Sequence, residues 1–196
     1  MRNFRKQPFM ATALAAGALL LGAAPAAHAQ SAGKVAVEVR GGVNVPTFGI
    51  TDAAKAGPSV GGGISVEVAP RVWLMGDADF GFHKGANLVG GGQGPDVDVF
   101  HFMGKVGYDL LPRQYSPLSV TINAGAGAMM FRVKGTTTLT KTYPAINVGA
   151  KIGYDVAPGV TLFLSPQGDI AFTDKAVLGT SKAWVWPFAA GLRLSF

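Results

Sequence analysis

Trp184-Val185-Trp186-Pro187-Phe188-Ala189-Ala190-Gly191-Leu192-Arg193-Leu194-Ser195-Phe196 closes the sequence. Residues two apart share one face of a strand, so Trp184, Trp186, Phe188, Ala190, Leu192, Leu194 and Phe196 form one apolar stripe. The other face carries Arg193, Ser195 and small residues. An apolar stripe with aromatic residues at both ends is the pattern of a strand crossing a bilayer within a barrel. Twelve steps separate Trp184 from Phe196, about 40 Å at ~3.3 Å each. Tilted by about 40°, such a strand rises about 30 Å, enough for an apolar band of ~25 Å between two aromatic girdles.

Seven further segments alternate in the same way, at 34–45, 60–69, 72–83, 99–109, 118–131, 144–155 and 160–172. With 184–196 they make eight, and the expected fold is all-β: an eight-stranded antiparallel up-and-down transmembrane β-barrel. Short connections at 69–71, 111–117 and 158–159 alternate with longer ones at 46–59, 84–95, 133–143 and 173–182. That rhythm predicts tight periplasmic turns, longer outer loops and both termini in the periplasm. A weak internal repeat follows it: Gly107-Tyr108-Asp109-Leu110 recurs as Gly153-Tyr154-Asp155-Val156, and Val68-Ala69-Pro70-Arg71 recurs as Val156-Ala157-Pro158-Gly159.

The beginning of the chain reads differently. Arg2, Arg5 and Lys6 precede an Ala-rich apolar run that ends at Ala27-His28-Ala29, the layout of a secretory signal peptide. The expected domains are therefore a signal peptide at 1–29 and a barrel at 30–196. The formal charge of +6 falls to +3 once the three basic residues of the signal are set aside. No basic run remains, so no nucleic-acid partner is expected. The absence of cysteine excludes disulfides, thiolate metal sites and a lipid-modified N-terminal cysteine. Charged residues make up only 14% and mean hydropathy is +0.30, yet no mature segment is an unbroken apolar run of ~18 residues.

A soluble barrel would turn its apolar face inward, so the content of the polar face decides between the two. Here that face mixes charge with small residues, as a narrow lumen filled by side chains requires. Its charges nearly balance: Glu38, Glu67, Asp77, Asp79 and Asp169 against Arg40, Lys105, Lys151 and Arg193. These are the expected lumen charge network, paired because buried charges need partners. Trp73, Met75, Met103, Met129, Phe131 and Phe163 fall on the same inward phase and are expected to plug it. On the apolar face, Phe80, Phe82, Phe100, Phe102, Phe172, Trp184 and Trp186 are expected in the outer aromatic girdle. Tyr108, Tyr154 and Phe196 are expected in the periplasmic one.

With these features the chain resembles the small eight-stranded outer-membrane barrels, the family of the OmpA transmembrane domain, OmpX and the opacity-type proteins. The resemblance covers the whole mature chain. Leu192-x-Leu194-x-Phe196 is similar to the C-terminal signal read by the barrel-assembly machinery, which the resemblance implies as a partner through Phe196. It also implies a cell-outer-membrane location, with membrane lipid and lipopolysaccharide as neighbours of a monomer. The chain departs from OmpA in ending at the last strand, so wall anchoring is not carried over.

Chemistry-bearing motifs are scarce. The mature chain has two histidines, His83 and His101, both on the inward phase, and neither has a serine within two residues on its strand. A lipid-modifying hydrolase would need a serine–histidine–acid set facing the lipid. A metal site would have to gather His83, Asp79 and His101 with Asp96 or Asp98, without any ligand spacing to mark it. Gly90-Gly91-Gly92-Gln93-Gly94 lacks the strand–helix context of a phosphate loop and reads as an outer loop. Thr136-Thr137-Thr138-Leu139-Thr140 reads as a loop tip. The expectation is a barrel with a structural or surface-interaction role, no catalytic residues, no metal and no cofactor. The alternatives are a lipid A-modifying enzyme, a narrow pore and an adhesin.

Overall fold

Alternating side chains give eight antiparallel strands in the computed structural model of the chain, which describes residues 33–47, 54–87, 91–111 and 116–196. The expected signal peptide, 1–29, lies outside the described residues, as do parts of the connections 46–59, 84–95 and 111–117. The strands are β1 (Val35–Thr47), β2 (Gly57–Ala69), β3 (Val72–His83), β4 (Asp96–Asp109), β5 (Leu118–Lys134), β6 (Thr138–Ala157), β7 (Val160–Phe172) and β8 (Lys182–Ser195). A single helical turn, α1 (Lys175–Leu178), precedes β8. Each strand pairs with its neighbour in sequence, and β8 returns to β1 to close the barrel. Closure leaves no unpaired edge, the condition for carrying backbone polar groups through hydrocarbon. The closing seam runs from Ala36 opposite Ser195 to Thr47 opposite Trp184. Phe196 extends it, donating its N–H to Val35 O at 2.8 Å.

The two faces are inverted relative to a water-soluble protein. Val39, Leu164 and Tyr154 are more than half exposed, whereas Glu38, Lys105, Lys151 and Arg193 are buried. Odd-numbered residues of β2 to β8, and even-numbered residues of β1, point into the lumen.

The β2–β3, β4–β5 and β6–β7 connections and both ends of the described barrel share one end, here called the turn end; the other is the loop end. The internal repeat corresponds to a real corner at the turn end. Register shifts between Glu67 and Ala69, and again between Asp155 and Ala157, so each copy enters its Ala-Pro turn through a bulge. The third turn residue has positive φ in both, 69° at Arg71 and 75° at Gly159. Across from each aspartate stands a threonine: Thr121 Oγ1 donates to Asp109, and Thr161 Oγ1 to Asp155.

At the loop end the expected long connection 133–143 is corrected. β5 and β6 continue past the girdle to Lys134 and from Thr138, leaving only 135–137 as a turn. Val133, Thr138, Thr140 and Thr142 are β-branched and favour continued pairing over a polar loop. Thr138 to Thr140 therefore belong to a strand, not to a loop tip.

The core is the lumen itself. Toward the turn end it holds Ala36, Trp73 and Met75. Toward the loop end Val97, Val99, Met103, Met129, Phe131 and Val185 pack with small alanines, and Leu178 of α1 covers them.

Candidate functional site

Arg40 on β1 organises the middle of the lumen. Its Nε donates to Asp79 Oδ1 at 2.9 Å, and a second nitrogen pairs with the other oxygen of the same carboxylate. Its remaining nitrogen lies 3.3 Å from Asp77 and 3.6 Å from Glu38. Lys105 approaches Asp77 at 2.8 Å, and Lys151 approaches Glu38 at 2.5 Å. Arg193 stands 3.7 Å from Glu38, donates to Ser65 Oγ at 3.1 Å and stacks over the Trp73 ring at 4.3 Å. Seven charged residues from β1, β3, β4, β6 and β8 thus share one buried layer, where close pairing offsets the desolvation of each charge. Room for it comes from β2: a Cβ at Gly61 would run into the Asp79 carboxylate, and one at Gly63 into that of Asp77.

Two of the nine expected network members lie elsewhere. Glu67 is a correction: it sits half-buried at the turn-end rim, and Oε1 accepts the Arg71 N–H at 3.1 Å. It keeps the inward phase, opposite Trp73, but lies six residues along β2 from Gly61, which separates Arg40 from Asp79, and so falls short of the layer. Asp169 is in the lumen but one layer nearer the loop end. It accepts from Asn147 at 2.5 Å and lies 2.6 Å from His101 Nδ1. The ring's other nitrogen, Nε2, faces the Asn44 amide at 3.4 Å.

Inward-phase polar residues that composition alone did not single out complete the packing. Asp109 receives Trp73 Nε1–H at 3.0 Å, and Gln167 takes a hydrogen bond from Lys105 at 3.2 Å. Their odd positions on β4 and β7 were the available signal.

The expected girdle residues lie on the outer face. Phe80 makes edge contacts with Phe100 and Phe102, and the Trp184 and Trp186 rings are 6.3 Å apart. Phe82, Phe172, Tyr108, Tyr154 and Phe196 are exposed. Phe100 alone among them is buried, 9% exposed beneath Arg132, whose guanidinium stands 5.1 Å above its ring. Trp186 lies across Gly168 of β7 and donates Nε1–H to Thr47 at 2.9 Å.

Charge is unevenly distributed along the barrel axis. Among the described residues the loop end carries Lys55, Lys84, Arg132, Lys134, Lys141, Lys175 and Lys182, against Asp96, Asp98 and Asp174. Asp96 hydrogen-bonds Lys84 at 2.8 Å and holds its ammonium above the ordinary lysine range. At the turn end Lys34 and Arg71 face Glu67, Asp109 and Asp155.

This arrangement separates the residues that a metal or a hydrolytic centre would need to converge. His83 Nδ1 is engaged by Lys55 O at 2.8 Å, Asp79 by Arg40, Asp96 by Lys84 and Asp98 by Lys134. No three His, Asp or Glu side chains converge as a metal site among the described residues. The imidazole that a carboxylate does orient, His101, faces an amide and not a hydroxyl.

Known proteins share this architecture. Neisserial surface protein A (NspA) superposes with a TM-score of 0.66 at 16% identity, over 83% of this chain and 97% of its own. OprG of Pseudomonas aeruginosa gives 0.59 at 11% identity, over 85% and 97%. Ail of Yersinia pestis, solved in complex with the heparin analogue sucrose octasulfate, gives 0.54 at 14%, over 84% and 100%. No curated protein sequence matches the chain. The family described as outer membrane protein beta-barrel domain matches residues 14–196, and the chain belongs to it as an eight-stranded barrel of the outer membrane.

Proposed function

We propose that this protein is a closed surface barrel: a scaffold that conducts no ions and performs no covalent chemistry, and whose work is done at its loop end. In this reading the loop end is extracellular, and the tight turns and both termini are periplasmic, the arrangement usual for bacterial barrels. The observation that carries the proposal is the cationic loop end above a packed lumen. Seven basic against three acidic residues crown the described barrel, while Phe131, Met129 and Val185 fill the passage beneath them. A one-signed field draws in anionic partners and speeds encounter. The heparin analogue bound by Ail supports a partner of that class.

The experiment is whole-cell binding to immobilised heparin. Cells displaying the wild-type barrel should be retained, and retention should fall with rising salt. Reversing charge at Lys55, Lys175 and Lys182 to glutamate should abolish retention while leaving a heat-modifiable barrel in the membrane. Undiminished binding by the reversed variant contradicts the reading.

A further inference from the structure

On β5, Arg132 and Lys134 are even-numbered and point sideways from the barrel wall, not over its mouth. Both are exposed. Asp98 on β4 shares that outer face, yet its side chain is only 5% exposed. The two cations cover it: Lys134 Nζ lies 2.8 Å from Oδ1 and Arg132 lies 4.0 Å from Oδ2. Arg132 is fixed a second time by the Phe100 ring beneath it.

Outer-face rows of the sheet rank these groups by polarity. One row runs Phe80, Phe100, Met130, Thr142, and the next runs Phe82, Asp98, Arg132, Thr140. The cations therefore begin in the row of Phe82, the outermost row of the aromatic girdle on these strands, where the wall passes from hydrocarbon to headgroups. Thr138 and Thr140 stand exposed opposite Lys134 and Arg132 and add two hydroxyl donors. Two carboxylates share this face: Asp98, and Asp96, which stands opposite Lys134 in register and is held by Lys84 at 2.8 Å. Three cations thus meet two carboxylates, and one positive charge is left in excess beside the fixed Arg132 guanidinium, facing the lipid.

We infer that this patch binds the phosphate of an outer-leaflet lipid headgroup, with Arg132 and Lys134 as its ligands. Guanidinium and ammonium donors match phosphate oxygens, and the threonine hydroxyls extend the cradle. Lateral aim and continuity with the girdle select a lipid already in the bilayer over a soluble anion arriving from above. The inference rests on the loop end being extracellular and adds a partner at the wall to the one proposed at the mouth.

The test compares the whole barrel in phosphatidylcholine vesicles containing bis-phosphorylated lipid A with vesicles containing the same lipid stripped of phosphate. Lipid A retained per barrel is counted by native mass spectrometry after detergent extraction. Wild type should retain the phosphorylated form preferentially. R132A/K134A should retain it roughly thirtyfold less, and K175A/K182A should match wild type. Equal retention of the two lipids by wild type overturns the inference without needing any variant to fold. So does loss of retention in K175A/K182A, or displacement of the lipid by soluble heparin, either of which moves the site to the mouth. Heparin retention by cells and lipid retention by the wall are read separately, so either can fail alone.

Discussion

Glu38 and Arg193 stand directly opposite each other across the seam that closes the barrel, with Arg193 Nε 3.7 Å from Glu38 Oε1 and both side chains buried. The first and last strands are thus tied by charge as well as by backbone hydrogen bonds. Glu38 is the more heavily committed partner, because Lys151 and Arg40 share its other oxygen.

Removing Glu38 strands more charge than removing Arg193. Glu38→Leu leaves Lys151 and Arg193 short of a carboxylate and should cost about 3–5 kcal/mol. Arg193→Leu should cost less, because Glu38 keeps two cations. The double variant should lose less than the sum of the singles by about 1 kcal/mol or more, read from urea titrations of the barrel in vesicles. Strict additivity would show that the seam pair is uncoupled.

Arg71 occupies a left-handed position that Gly159 fills in the second copy of the repeat. Its guanidinium compensates, donating to Asp109 O at 2.7 Å and Leu110 O at 2.6 Å and stacking on Tyr108 at 4.8 Å. Arg71→Gly loses these contacts but relieves about 1 kcal/mol of backbone strain. Arg71→Ala loses them and keeps the strain. The urea midpoints should therefore fall in the order wild type, Arg71→Gly, Arg71→Ala; a reversed order of the two variants would refute the clamp.

Gly168 faces outward, and a Cβ there would meet the Trp186 ring at 2.8 Å. Gly168→Val should displace the indole, break its hydrogen bond to Thr47 and shift tryptophan emission. Gly76, also outward, would put its Cβ in ordinary contact with Ile64 Cγ2 at 3.9 Å and near no indole, and Gly76→Val should leave emission unchanged. Identical spectra from the two variants would remove Trp186 from its assigned seat.

Phe196 pairs with Val35 while its side chain is 79% exposed, so its ring adds little to packing within the barrel. We propose that recognition by the barrel-assembly machinery, which the resemblance of Leu192-x-Leu194-x-Phe196 implies, gives the ring a role outside the folded state. Phe196→Ala should lower the heat-modifiable fraction in cells severalfold yet barely change refolding of purified protein in vesicles. Equal yields in cells would leave the ring without that role.

Period-two alternation made the barrel, its strand count and its inward phase legible, because one slip would exchange every side chain between lipid and lumen. Pairing within the lumen was less legible. Phase shows that Arg40 and Asp79 point inward, but their meeting depends on Gly61 leaving space between them. Glu67 has the right residue type and phase, but its row, opposite Trp73, lies too far toward the turn end to reach the layer, and alternation alone does not rank depth. The apolar plug was only partly visible, since Val97 and Val99 alternate with Asp96 and Asp98, the reverse of the pattern deeper in the wall, and Val185 sits between Trp184 and Trp186 where both faces are apolar. The rim patch was hidden for a related reason: Asp98 reads as a loop carboxylate until β4 and β5 are extended past the girdle.

A barrel shut by its own side chains carries no current, which single-channel recording in planar bilayers reads. Purified wild-type protein, heat-modifiable and inserted, should give no stable open-channel conductance across a range of voltages and salt concentrations. Truncating the plug with Met129→Ala and Phe131→Ala should raise leakage above that baseline. A steady, reproducible conductance from the wild-type barrel would contradict the account.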